Sequence, residues 1–247
     1  NGGPWTPDAP IYWKDKSTSA DFYAYYPYEY KNGERIAVAD KVRYKTLQFV
    51  QPNELSEMVD LMTASVEAAT KSAEPVRLQF RSRLFGVDVV IANHDDVTAW
   101  NPGITVLGAE VRFKDVPASL EFDIDGTGYD LSSDRVEIVS ELLEESAGLR
   151  LEPGEEHHFT RELGSSFLLI PSENIKYSLS LEYVGADGET YEYRYPEDEE
   201  WASFGDVMKE SGKYTLVINT ALGTPYEFTA SLVADWEDRV DVDNDFN

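Results

Sequence analysis

The sequence predicts an all-β protein of the sandwich type, and three observations support this prediction. Aromatic residues make up 13% of the 247 residues, and 15 of them are tyrosines, which favour strands. Short runs of alternating polarity recur between turns marked by glycine and proline. The sequence shows no long helical periodicity, internal repeat or heptad pattern. Strands separated by turns, without long helices, are typical of two packed sheets.

The clearest single element is a β-hairpin that ends near residue 195. Alternate positions from Tyr177 to Tyr183 are apolar and the positions between them are polar, so this strand has one buried face. The run Gly-Ala-Asp-Gly at 185–188 supplies the turn. The returning strand carries Tyr191, Tyr193 and Tyr195 at alternate positions, and we expect all three side chains to point inward.

In the first 75 residues, prolines and glycines separate short extended pieces. Residues 11–13 and 20–27 are rich in aromatic residues and predict strands, and residues 40–50 are compatible with another strand. Residues 53–57 predict a helical turn, for which Asn53 is a suitable N-cap. The small, polar run at 71–75 has the composition of a linker between domains.

The strand pattern is sharper after residue 75. Strands are predicted for the runs 76–81, 84–92, 104–113 and 120–124. Apolar residues in 136–149 fit either a short helix or a strand, and the sequence leaves this open. Residues 212–219 and 226–236 close the sheet. The second of these runs alternates as Tyr226, Phe228, Ala230, Leu232 and Ala234.

Composition limits the partners of the chain. With 47 acidic and 21 basic residues, the formal net charge is −26. A surface of this kind repels phosphate, so nucleic acid and anionic lipid are poor partners. No apolar run approaches the roughly 20 residues of a membrane helix, so we expect no membrane insertion by this segment. The chain has no cysteine, which excludes disulfides and thiol chemistry.

Two segments contain histidine or aspartate residues of the kinds that bind metal ions, but their spacing does not fit a metal site well. His157 and His158 are adjacent, and adjacent side chains on a strand point to opposite faces, so a solvated turn is the simpler interpretation. Residues 123–134 fit the calcium positions of an EF-hand loop loosely. They follow a predicted strand rather than a helix, and Asp134 stands where a glutamate is usual. We therefore favour a strand-to-strand turn over a calcium site and predict no metal and no cofactor.

Catalytic motifs are also missing from the sequence. It contains no GxSxG, HExxH or P-loop pattern, so we predict no catalytic residue and no enzyme. The aromatic run at 22–28 has two interpretations. Its alternation favours a strand with one face in the core, whereas a sugar-stacking platform would place Tyr25, Tyr28 and Tyr30 as exposed aromatic contacts.

Six stretches in a fixed order carry a resemblance to a known family. They are DFYAYYPY at 21–28, DLMTA at 60–64, VRLQFRSRL at 76–84, FLLIP at 167–171, GKYTL at 212–216 and ADW at 234–236. Their order and spacing resemble the fimbrillin-like family of Bacteroidetes, the subunits and tip proteins of surface pili. The resemblance covers about residues 11–236. Arg81 stands where many relatives have histidine, and the lipoprotein signal with its cysteine is not seen here.

This resemblance implies two tandem β-sandwich domains of the transthyretin-like type. We expect them at residues 1–75 and 76–247, with the first domain incomplete at its N-terminus. The resemblance also implies export as a lipoprotein and assembly with other pilin subunits into a fimbria at the outer membrane. In the family, a protease removes an N-terminal strand and a strand from another subunit fills the groove, which is donor strand exchange.

For the donated strand, the resemblance directs attention to the C-terminal segment. The candidate donor residues are Tyr226, Phe228, Ala230, Leu232, Ala234 and Trp236. The acidic tail beyond them has only Val240 and Val242 as alternating apolar residues, which favours a tip or accessory subunit over a stalk subunit. The alternative function is an adhesin module that binds carbohydrate or protein on a host or bacterial surface.

Overall fold

The computed structural model describes residues 18–26, 37–38, 46–71, 76–94, 103–123, 129–143, 148–162, 166–185, 187–197, 201–204, 212–221 and 223–233. Strands dominate these ranges, so the predicted all-β class is confirmed. The helical elements in them are a 3-10 turn at Leu55–Glu57 and a four-residue helix, α1, at Phe159–Glu162. No helix in this part of the chain has the length and apolar character needed to cross a membrane.

Nine strands lie in the described residues up to Leu131. They are β1 (Ser19–Tyr26), β2 (Ala37–Val38), β3 (Thr46–Val50), β4 (Met62–Thr70), β5 (Arg81–Ser82), β6 (Phe85–Asn93), β7 (Ile104–Pro117), β8 (Ser119–Asp123) and β9 (Tyr129–Leu131). A further nine follow. They are β10 (Arg135–Glu141), β11 (Leu149–Leu151), β12 (Glu156–His158), β13 (Phe167–Leu169), β14 (Lys176–Val184), β15 (Thr190–Tyr195), β16 (Ala202–Ser203), β17 (Lys213–Ala221) and β18 (Thr224–Val233).

The largest sheet has six strands and contains the predicted hairpin. Its order is β10–β7–β14–β15, with β11 also paired to β7 and β16 also paired to β14. All of these pairings are antiparallel. The hairpin prediction is confirmed, because β14 and β15 pair from Leu179–Tyr195 to Val184–Thr190. Every second residue of β14, from Tyr177 to Tyr183, is buried as its alternation predicts.

The second sheet has five strands and includes one parallel pairing. Both β12 and β13 pair with β6, which pairs in parallel with β17, and β18 lies at the far edge. Strand β6 is an almost continuous apolar run that is buried on both faces, as strands with parallel neighbours usually are. Its one charged residue, Asp88, accepts a 2.7 Å ion pair from Lys213 and a 3.3 Å hydrogen bond from Thr160.

These two sheets pack face to face, as a sandwich does. Aromatic side chains bridge them, with ring centroids 5.1 Å apart for Phe113 and Phe167 and 5.8 Å apart for Phe85 and Phe204. All four side chains are buried in the main hydrophobic core. The burial of such large rings stabilises the sandwich by about 1.5–3 kcal/mol for each side chain.

Two smaller sheets complete the described fold. One has four strands in the order β2–β3–β8–β9, and the other has three in the order β1–β4–β5. Strand β3 pairs with β8 from Thr46–Asp123 to Val50–Ser119, so strands from both sides of the predicted linker share a sheet. The division into domains at residues 75 and 76, and the count of two sandwiches, stay predictions.

Several local predictions are corrected or settled. Of the run 76–81, only Arg81 lies in a strand, because residues 76–80 have no strand partner in the described chain. The segment left open between helix and strand contains strand β10, paired with β7. The N-cap position of the 3-10 turn is Glu54 rather than Asn53, and the Glu54 side chain makes no capping hydrogen bond. Tyr191 lies opposite Tyr183 on the inward face, as predicted, but 43% of its surface is exposed at the hairpin end.

Candidate functional site

The predicted donor strand forms the outermost strand of the five-stranded sheet. Strand β18 pairs antiparallel with β17 from Lys213–Val233 to Ala221–Thr224. The register places Phe228 opposite Ile218 and Ala230 opposite Leu216, whereas Tyr226 lies at a register shift. Ala234 and Trp236 lie outside the described residues. The donor role of this set therefore stays a prediction, but its edge position in the sheet is clear.

Phe228 is the residue of β18 that joins the two large sheets. Its ring stacks on Tyr195 at a centroid distance of 3.8 Å and lies 6.1 Å from the ring of Tyr177. At the other end of the strand, the Thr224 and Tyr183 hydroxyl oxygens are 3.2 Å apart and share a hydrogen bond. Among the described strands, β18 pairs with β17 alone, so these cross-sheet contacts hold it at the sandwich edge.

The predicted aromatic platform is only partly described. Tyr25 is half-buried and packs against the hydrophobic core, as the core interpretation of this strand expects. Tyr28 and Tyr30 lie outside the described residues. The neighbouring Tyr26 is 49% exposed. The three proposed contacts therefore stay a prediction.

A groove crosses the outer face of the six-stranded sheet, opposite the core. Its volume is about 520 Å³, and glutamates from four strands line it. The glutamates are Glu110, Glu141, Glu182 and Glu192. The sheet register sets Glu110 directly opposite Glu141 and Glu182 directly opposite Glu192. Like charges in directly opposite positions repel each other, so this end of the sheet concentrates negative potential.

The Tyr191 side chain lies on the opposite face of the sheet from these glutamates, and its ring stacks on Tyr183 with centroids 5.9 Å apart. Its hydroxyl donates a 2.6 Å hydrogen bond to the Asp187 carboxylate, which raises the pKa of Tyr191 and lowers that of Asp187. The ring lies over Gly185, where an added Cβ atom would come within 2.7 Å of a ring carbon. The glycine therefore lets the tyrosine fold back over its own hairpin turn.

Sequence reasoning missed this groove. Each glutamate occupies an outward position of an alternating strand, and such positions are ordinary in a chain of this charge. The missing information was the register between β10, β7, β14 and β15, which brings the four side chains to one place. The exposed position of Tyr191 was a second missing signal.

The candidate metal segments lie in ordinary strands. His157 and His158 belong to β12, where the His158 imidazole bonds the Glu156 carboxylate at 3.0 Å and His157 packs on Phe159. Residues 124–128 lie outside the described chain, and the strands before and after them, β8 and β9, pair antiparallel. Among the residues that the structure describes, no group of three acidic or histidine side chains could hold a metal ion.

Comparison with solved structures gives similar folds at low identity. A fimbrial protein from Bacteroides vulgatus has a TM-score of 0.51 and 14% identity, over 85% of this chain and 75% of the other. A candidate cell adhesion protein from Bacteroides uniformis has a TM-score of 0.47 and 18% identity, over 87% and 72% of the two chains. No curated protein sequence matches the chain. The sequence profile described as fimbrillin-like matches residues 1–236, and the chain therefore belongs to the fimbrillin-like family.

Proposed function

We propose that this chain is a tip or accessory subunit of a cell-surface pilus that joins other subunits by β-strand donation. Membership of the fimbrillin-like family supports a role in fimbriae or adhesion at the cell surface. In the proposed assembly, a protease removes an N-terminal strand after export as a lipoprotein. The groove that this opens then accepts a strand from another subunit.

The observation that supports strand donation most directly is the edge position of β18. An edge strand can leave its sheet without breaking the pairings at the sheet centre. Once released from β17, the strand would enter the groove that proteolysis opens in another subunit. Phe228 would be its anchor, because burial of one aromatic ring contributes about 1.5–3 kcal/mol before the costs of association.

Proteolysis of the full-length precursor tests this proposal. We expect treatment with a trypsin-like protease to yield detergent-resistant oligomers on an unboiled denaturing gel. The Phe228→Ala variant should form roughly tenfold less of them, because the donated strand loses its anchor. Glu227→Ala, an exposed position on the same strand, is the matched control. A long ladder would assign a stalk role, and a single added step a tip or accessory role. A trimmed monomer that never joins another subunit would contradict strand donation.

A second candidate function is an adhesin, and the exposed ring of Tyr191 favours it. Sugar-binding sites combine an aromatic face with polar groups that fix orientation, and the hairpin end offers the 43% exposed Tyr191 beside the Asp187 carboxylate. A glycan array with the wild-type chain and the Tyr191→Ala variant tests it. We expect the wild-type chain to bind glycans on the array and the Tyr191→Ala variant to lose this binding. An array signal at background for the wild type would contradict this function.

A further inference from the structure

The outer edge of β13 is closed by side chains rather than by a strand. One side of β13 pairs with β6. Its other side has no strand partner in the part of the chain that the structure describes. Leu168 and Ile170, whose backbone groups face this side, are buried. Buried backbone groups need hydrogen-bond partners, so this edge requires a substitute for a strand.

The side-chain amide of Gln51 supplies most of the hydrogen bonds that a neighbouring strand would make. Its side-chain oxygen Oε1 accepts a 2.8 Å hydrogen bond from the Ile170 backbone N–H, and its Nε2 donates a 2.9 Å hydrogen bond to the Leu168 carbonyl. The side chain is only 5% exposed. Nε2 also donates to the Pro52 carbonyl at 3.1 Å, so this amide is almost fully satisfied.

The hydrogen bonds of the Gln51 amide to Leu168 and Ile170 follow the pattern that one residue makes in a parallel β-ladder. In such a ladder, a residue donates to the residue before its partner and accepts from the residue after it. The Gln51 amide bonds the residues on either side of Leu169 in this way. It therefore occupies the position that a strand residue opposite Leu169 would take.

Met58 is the acceptor for the remaining backbone group of this edge, the Leu168 N–H. Its sulfur lies 3.1 Å from the Leu168 backbone nitrogen, which donates to it. Thioether sulfur is a weak acceptor, so this bond closes the edge less firmly than the Gln51 amide does. Between these residues, the 3-10 turn buries Leu55 in the core and holds the segment in place.

We infer that Gln51 and Met58 form an edge guard that prevents a second copy of this chain from pairing with β13. The run Phe167–Ile170 is four apolar residues, and an open edge of that kind is a template for strand addition. When the guard is withdrawn, the free groups of Leu168 and Ile170 accept an extended segment of another copy. The inference rests on these contacts alone and does not depend on the proposed donation of β18.

The Gln51→Ala variant of the full chain, without protease treatment, tests the guard. Loss of the amide leaves two buried backbone groups without partners, so opening of the segment should become at least roughly tenfold more favourable. Hydrogen exchange at Ile170 should accelerate by that factor beyond the change in global unfolding. Light scattering should show dimers that the wild type does not form.

Two control variants separate a guard from ordinary stabilisation. Gln48→Ala changes an exposed glutamine of β3 and should behave as wild type. Leu142→Ala destabilises the core away from β13 and should remain monomeric. Monomeric Gln51→Ala, with exchange that follows global stability alone, would overturn the inference. If that variant does not fold, Met58→Leu keeps the volume but removes the acceptor sulfur. It should accelerate exchange at Leu168 severalfold, and an unchanged rate there would also overturn the inference.

Discussion

The two strands of the central hairpin have the same alternating pattern but different surroundings. Strand β14 lies between β7 and β15, and its inward residues, such as Leu181, are fully buried. Strand β15 has β14 as its single neighbour among the described strands, and its tyrosines range from half-buried at Tyr195 to exposed at Tyr191. Alternation therefore identifies a strand and shows which of its faces is apolar. The number of neighbouring strands decides how deeply the apolar face is buried.

Truncation at the centre of the sheet should have the largest effect. Leu181→Ala removes a fully buried side chain, and we expect the free energy of unfolding to fall by about 3 kcal/mol. Glu182→Ala, the exposed neighbour on the opposite face, should change it by less than about 0.5 kcal/mol. Urea unfolding measures both. Equal losses would mean that the two faces of β14 do not differ as described.

Truncation at the inner end of the edge strand should cost less. Tyr195 is half-buried and stacks on Phe228 at 3.8 Å. We expect Tyr195→Ala to lower the free energy of unfolding by about 2 kcal/mol, below the 3–5 kcal/mol of a fully buried aromatic residue. Arg194→Ala, on the outer face, should cause no measurable change. A loss as large as that of Leu181→Ala would remove the distinction between centre and edge.

The exposed end of β15 should show only a shift in titration. The hydrogen bond to Asp187 favours the neutral hydroxyl of Tyr191, so its pKa lies above the ordinary value of about 10. The resulting stabilisation is present below that ordinary pKa and is lost as the pH rises through the raised one. For Asp187, whose pKa is lowered, the contribution is present above its ordinary pKa and is lost as the pH falls through the lowered one.

Ultraviolet difference titration against a Tyr191→Phe variant isolates this tyrosine from the others. In an Asp187→Asn background, Tyr191 should ionise at lower pH, because the charged acceptor is gone. Identical titration of Tyr191 with and without the Asp187 carboxylate would show that the hydrogen bond is not formed in solution.

The sequence predicted the elements that depend on local pattern. The β14–β15 hairpin, the apolar strand β6 and the strand β17 follow from residues within each segment. It did not predict long-range register, which sets β6 beside β17 and β3 beside β8. It also did not predict that the Gln51 side chain is buried, because a polar residue after a strand usually indicates the start of a turn.

The same limit applies to the candidate site. Phe228 could be named from its alternating segment, but the stacking on Tyr195 depends on the packing of two sheets. The four glutamates of the groove come from separate strands, so no single stretch of sequence contains their pattern. Sequence reasoning therefore found a residue within one strand and missed a surface made by several.

The parallel pairing of β6 with β17 also affects how the protein folds. Ala92 and Thr220, bonded to each other at this pairing, are 128 residues apart in the chain. Contacts between distant residues slow folding, because the loop between them must close before the contact is gained. Strand β6 is a long, almost continuously apolar strand, yet its parallel neighbour β17 emerges only after more than a hundred further residues, as the separation of 128 residues between Ala92 and Thr220 shows. We therefore expect a slow final folding step, during which a chaperone that shields β6 would raise the yield.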